Sequence, residues 1–188
     1  MIVPARVLRS SAVTSGANSP RARTRELNPR PCGFYGHPRR PCDCHPAALQ
    51  RYRARVSGPL LDRIALHVAV EPVDAQALRA SRPGEPSARV RQRVERARAH
   101  QMRRFAGRQA QCNGQMSAAD VRAFCGLDVK SSRLLHRAIE AMALSARAHD
   151  RILKVARTLA DLDGSAAIGS AHVSVALQFR QLDREALR

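Results

Sequence analysis

The chain has 188 residues, with 33 Lys+Arg against 15 Asp+Glu and a formal net charge of +18; 44% of it is hydrophobic and 3% aromatic. That length predicts one domain, or a small domain with flexible attachments, and excludes a large multidomain enzyme. Arg or Asp interrupts every apolar stretch before the ~18 residues a membrane-spanning helix needs, so no such helix is expected. All the basic residues except Lys130 and Lys154 are arginine, whose permanently charged fork suits phosphate and carboxylate, although an arginine-rich coding bias gives the same count.

Residues 1–26 carry serines, prolines and arginines with one acidic residue, Glu26, and no sustained periodicity, which predicts a disordered leader. The same acid-poor composition also fits an organellar transit peptide. Five cysteines follow, three of them (Cys32, Cys42, Cys44) crowded together and two (Cys112, Cys125) apart. An odd, uneven set is unlike a secreted disulfide framework and points to a reducing, cytoplasmic setting with a metal site.

From Pro46, PAALQRYRARV can start a helix, because proline at the first helical position has no N–H bond to lose. Ile64, Leu66, Val68 and Val70 then alternate as a strand ending at Glu71-Pro72. One strand cannot close a sheet, so residues 27–72 read as a partial α/β remnant with a Cys-rich loop. Pro72, Pro83, Gly84 and Pro86 mark residues 73–86 as a linker.

Residues 87–188 read as helical. Val90, Val94, Ala97, Gln101 and Phe105 form one stripe of a helix starting at Ser87. Ser117, Asp128, Ser145 and Ser170 are placed to cap four more, and Gly164 to end the third of these. Leu134, Leu135, Ala138, Ile139 and Met142 form one buried face; Ile152, Val155, Ala156, Leu159 and Leu162 form another. The expected fold class is mainly α: a C-terminal helical bundle after the remnant and the leader.

Three constellations carry candidate chemistry. In NPRPCGFYGHPRRPCDCH (28–45), the thiols of Cys32, Cys42 and Cys44, with His45 or His37 and tight turns, can wrap a tetrahedral Zn²⁺; reduced loop cysteines without metal are the alternative. Cys125, at the end of an apolar helix face, reads as a small hydrophobe. In GPLLDRIALHV (58–68), Arg63 sits before the strand and could reach a neighbouring subunit's phosphate; a surface arginine beside Asp62 is the plainer reading. In SARAHDRILKVARTLADLDG (145–164), Arg147 falls in the first helical turn, where the dipole favours an anion and disfavours a cation.

Taken in order, the Cys-rich loop, SGPLLDRI-LHV, GE-SA-VR, LSARAHDRILKVARTLADLDG and AHVSVALQFR resemble the C-terminal part of the magnesium-chelatase-like AAA+ ATPases, the YifB/ComM group, from about Leu27 to Arg184. The resemblance implies that Asn28 is a sensor-1 residue orienting the attacking water. It makes Arg63 an arginine finger acting in trans and Arg147 a sensor-2 arginine on the γ-phosphate, with 87–188 as the lid. It further implies ATP and Mg²⁺ as cofactors and a ring, hexameric in the family, of AAA+ subunits as partners. Through the ComM group, the resemblance also implies DNA as a possible partner, by way of branch migration in natural transformation.

The chain has no GxxxxGK[ST] loop and no Walker B acid, and Arg30 stands where the family's cluster has a further cysteine. The chain is therefore expected to be a truncated member, inactive alone, whose nucleotide needs a Walker-bearing partner. The alternative is a small basic zinc-knuckle protein whose Arg-rich helix, Arg89 to Arg108, lies along nucleic-acid phosphates.

Overall fold

The computed structural model describes residues 30–35, 40–55, 64–68, 70 and 84–180. The chain divides into two compact units, one of residues 1–57 and 68–81, the other of residues 58–67 and 82–188. In the first, the Cys-rich loop leads into α1 (Pro46–Ala54). The His45 carbonyl accepts its first amide bonds, from Ala48 at 2.9 Å and Leu49 at 3.1 Å, so Pro46 occupies the position that its missing N–H tolerates.

The second unit holds α2 (Ser87–Arg104), a 3₁₀ turn (Asn113–Gln115), α3 (Ala118–Phe124), α4 (Val129–Ala141), α5 (Ala146–Leu162) and α6 (Ser170–Gln178). The protein is mainly helical, as the sequence predicts. Among the described residues there is no strand, only one parallel bridge between Leu127 and Ile168.

Side-chain oxygens start three of the helices. Ser117 Oγ accepts the Asp120 amide at 3.1 Å while the Asp120 carboxylate accepts the Ser117 amide at 3.0 Å, a reciprocal cap that satisfies two otherwise orphaned donors. Asp128 accepts from the Ser131 amide at 2.7 Å, and Ser145 from the Ala148 amide at 3.2 Å. At the end of α5, Gly164 takes φ +71°. The Ser165 amide then reaches the Ala160 carbonyl at 2.8 Å and the Gly164 amide reaches that of Asp161 at 3.3 Å, closing the last turn. The end of α4 closes the same way, but with Ala143 at φ 46°. A left-handed alanine costs about 1–2 kcal/mol, which the rest of the fold offsets at the turn that delivers α5.

Helix α5 is central. Ala148, Ala156 and Ala160 have no exposed surface, and Ile152 and Leu153 are buried beside them. The small alanines let the 3₁₀ turn, α2, α3 and α6 approach closely. Phe105, Met116, Val121, Cys125, Leu135, Ile168 and Val173 complete the core, with Phe105 edge-on to Phe124 at 5.7 Å.

Three expectations are corrected. Ile64–Val68 is irregular rather than a strand: among the described residues its alternation meets no partner ladder, and the His67 amide bonds singly to the Phe179 carbonyl at the end of α6. Val90 and Val94 are 39% and 45% exposed, so the α2 stripe is buried only from Ala97 onward. Gly169, not Ser170, caps α6, and its amide donates to His172 Nδ1 at 2.9 Å. Pro86 precedes α2 as its cap residue. The leader over 1–26, the linker before residue 84 and the last residues after 180 lie outside the described residues.

Candidate functional site

In the first unit, the sulfur atoms of Cys32, Cys42 and Cys44 all lie within 4.8 Å of one another, and Cys32 Sγ is 3.4 Å from Cys42 Sγ. The Phe34 amide donates to Cys32 Sγ at 3.4 Å. Arg30 stacks over the Tyr35 ring at 4.2 Å and donates to Cys42 Sγ at 3.5 Å. The Cys44 backbone N–H, then the Cys32 thiol and the Arg30 guanidinium, bring the Cys42 thiol down to about 7 against the opposing effect of burial. The Cys44 thiol is pushed up, chiefly by its bond with Cys32. Thiolates are the metal-binding form, so Cys42 is ready to ligate at neutral pH.

Zn–S bonds of about 2.3 Å with tetrahedral angles place sulfurs roughly 3.8 Å apart, which these three thiols fit. They form a group that can hold a metal. His45 stands outside it and is exposed, and His37 lies outside the described residues. Arg30, where a fourth thiol is expected, supplies charge rather than a ligand.

In the second unit, Arg147 is the second residue of α5, exposed, with Ser145 capping beneath it. A guanidinium at this end of a helix is opposed by the dipole, whereas an anion is favoured. Asn28 and Arg63 lie outside the described residues. The residue after Arg63 is described: the Ile64 carbonyl accepts from Arg180 Nη1 at 2.5 Å, and the His67 amide donates to the Phe179 carbonyl at 2.8 Å. Arg180 is 1% exposed.

The same unit contains a polar centre that pattern reading missed. The Asp161 carboxylate accepts from Arg104 at 2.7 and 2.5 Å, from Asn113 Nδ2 at 2.7 Å and from Arg157 Nε at 3.1 Å. Arg157 also donates to the Ser165 and Ala166 carbonyls at 2.6 and 2.8 Å. Burial pushes the Asp161 carboxyl up, but its bonds with Arg104 and Asn113 and the charge of Arg157 outweigh this and hold it below the usual carboxylate range. One signal was available: Arg157 and Asp161 are four residues apart on the side of α5 that also carries the buried Leu153 and Ala160. Cys125 packs as a hydrophobe, its thiol pushed up to about 11 by burial.

Residues 84–180 match the family model for the magnesium chelatase subunit ChlI C-terminal region, which spans the whole described helical unit from just before α2. The chain belongs to the magnesium-chelatase-like family. Residues 22–78 match a second model, that of the magnesium chelatase subunit ChlI, so both the Cys-rich loop and the Arg63 segment fall within family sequence. The chain is 38% identical over 160 residues to the uncharacterised protein YifB of Escherichia coli, covering 84% of this chain and 30% of that one. It is 37% identical over 161 residues to the competence protein ComM of Haemophilus influenzae, with the same coverage of each. An uncharacterised protein of Mycobacterium tuberculosis is 37% identical over 156 residues, 82% of this chain and 30% of that one. The chain thus spans about a third of the length of the magnesium-chelatase-like relatives it matches. With both units inside the family, the zinc-knuckle nucleic-acid protein is the disfavoured alternative. No helix among the described residues is long and apolar enough to cross a membrane.

Proposed function

We propose that these residues supply the sensor and arginine-finger portion of an ATP site whose phosphate cradle and Mg²⁺ are held by a Walker-bearing polypeptide of the same AAA+ family, arranged as a ring. Asn28 orients the attacking water, Arg63 reaches the nucleotide of the neighbouring subunit and Arg147 contacts the γ-phosphate. Phosphoryl transfer depends on positioning and charge stabilisation, so the 188 residues without GxxxxGK[ST] do not hydrolyse ATP alone. Work on DNA, by likeness to the ComM group, and a cytoplasmic setting belong to the same proposal.

The observation that carries this reading is the exposed Arg147 at the start of α5 within the family-matched helical unit, placed where its charge has no use for the helix itself. The test pairs the chain with a Walker-bearing companion, a full-length family member whose own residue equivalent to the one under study is replaced by alanine. For Arg147, fluorescent-ATP anisotropy is expected to show apparent affinity about tenfold weaker with Arg147→Ala than with the unaltered chain, the size of one charge-assisted hydrogen bond. Equal affinity would remove Arg147 from the site.

The proposal extends to zinc at Cys32, Cys42 and Cys44, as a clamp ordering the loop before α1. Titrating the chain with Co²⁺ as a spectroscopic stand-in should give one equivalent with sulfur-to-metal charge-transfer absorption, lost in Cys42→Ser. Because protons compete for Cys42, binding should weaken as pH falls below about 7. A titration with no charge-transfer band, or one unchanged in Cys42→Ser, would sink the clamp.

A further inference from the structure

The cysteines fall into two classes. Cys112 and Cys125 are buried in the helical unit, whereas Cys32, Cys42 and Cys44 are partly exposed, and Pro31, Gly33, Pro41, Asp43 and His45 beside them are exposed. Small solutes reach the second set and not the first. Within it, Cys32 Sγ and Cys42 Sγ, ten residues apart in sequence, stand 3.4 Å apart, against about 2.05 Å in a disulfide. The Cys32 thiol is the donor in that contact and Cys42 Sγ the acceptor. Arg30, stacked over the Tyr35 ring at 4.2 Å, also donates to Cys42 Sγ, at 3.5 Å. A cation held beside a sulfur favours the thiolate, the form that attacks an electrophile. The arrangement makes Cys42 the attacking sulfur and Cys32 the resolving one.

We infer that Cys42 and Cys32 are a dithiol that a hydroperoxide closes into a disulfide, leaving Cys44 free. The Cys42 thiolate attacks the terminal oxygen of ROOH; the S–O bond forms as the O–O bond breaks, and RO⁻ takes up the proton that Cys42 lost, leaving as ROH. The Cys32 sulfur then attacks the sulfenic sulfur of Cys42. The S–S bond forms, and the hydroxyl departs as water with the Cys32 proton. The two thiols give up two electrons, which reduce one hydroperoxide to an alcohol and water. Oxidation removes two of the three thiolates of the proposed metal site, and the inference rests on that reading only in that a bound metal leaves with them.

The test uses the full chain, reduced and stripped of metal by a chelator, then treated with one equivalent of hydrogen peroxide. Alkylation in denaturant and cleavage on the amino side of Asp43 separate Cys44 from Cys32 and Cys42. Expected is an internal disulfide in the peptide that carries Cys32 and Cys42, reversed by dithiothreitol, with Cys44, Cys112 and Cys125 alkylated. Cys42→Ser should slow peroxide consumption at least about tenfold, and Cys32→Ser should leave a sulfenic acid on Cys42 that dimedone captures. Chain loaded with Zn²⁺ should oxidise at least about tenfold more slowly and release its metal in step with the disulfide. Alkylation of all five cysteines after peroxide, a disulfide to Cys44, or loss of Cys112 and Cys125 at the same rate overturns the dithiol. Equal oxidation rates with and without Zn²⁺, the disulfide still forming, remove the metal reading and leave the dithiol in place.

Discussion

Asp161→Ala should cost the helical unit about 3–5 kcal/mol, the usual penalty for removing one partner of a buried ion pair. The Asp161 side chain is 1% exposed and the Arg157 side chain 4%. Deleting the carboxylate leaves the Arg157 and Arg104 guanidinium groups and the Asn113 amide without their common acceptor. Since domains of this size are stable by only about 5–15 kcal/mol, urea denaturation followed by circular dichroism should show a large fall in midpoint. Asp161→Asn, which keeps volume and one acceptor, should lose less. A change under about 1 kcal/mol for Asp161→Ala would mean that the centre is ornamental.

The same centre sets an acid limit. Asp161 is held below the usual carboxylate range, and so are Asp120, by the Ser117 amide and hydroxyl and by Arg108, and Asp128, by the Ser131 side chain and amide. Groups depressed in the folded state stabilise it fully above their unfolded value, about 3.9. That contribution disappears as pH falls through the folded values. The helical unit should therefore keep its stability down to about pH 4 and lose it below, with Asp161→Ala showing a shallower acid dependence.

The helix boundaries were legible because each depends on local chemistry. Ser117, Asp128 and Ser145 put a short acceptor directly before an apolar periodic run, and Gly164 supplies the left-handed turn that follows α5. Where two neighbours can do one job, the pattern misleads. Ser170 looks like the cap of α6, yet Gly169 takes that position because the His172 ring reaches back to its amide. Ala143 shows the converse: nothing in its side chain announces a left-handed residue, yet it takes φ 46° where α4 ends.

The candidate site was legible as motifs and less so as geometry. The three cysteines come together as their spacing allows, but the exposed His45 does not join them. Alternation from Ile64 to Val70 signals a strand only where a partner exists. Among the described residues none forms a ladder with it, and the Ile64 carbonyl meets Arg180, 116 residues distant, which no local window can reveal. Arg157 and Asp161 likewise look like an ordinary pair four residues apart on one helix until α2 and the 3₁₀ turn bring Arg104 and Asn113 onto them.

The largest effect is expected from Arg63→Ala. An arginine finger contributes about 10³–10⁵-fold to turnover by neutralising charge that develops on the transferring phosphoryl group. Arg104, Arg157 and Arg180 are spent on protein acceptors, and Arg147 is proposed for ground-state contact with the γ-phosphate. The loss should therefore fall on kcat, with nucleotide affinity nearly unchanged, the opposite of Arg147→Ala. The most direct measurement is steady-state ATP turnover by the chain alone, by the finger-deficient Walker-bearing companion alone, and by the two mixed. The account predicts no turnover by the chain, a low rate for the companion, and a rise of about a thousandfold on mixing that Arg63→Ala abolishes. Turnover by the chain alone, or a mixture no faster than the companion, would contradict it.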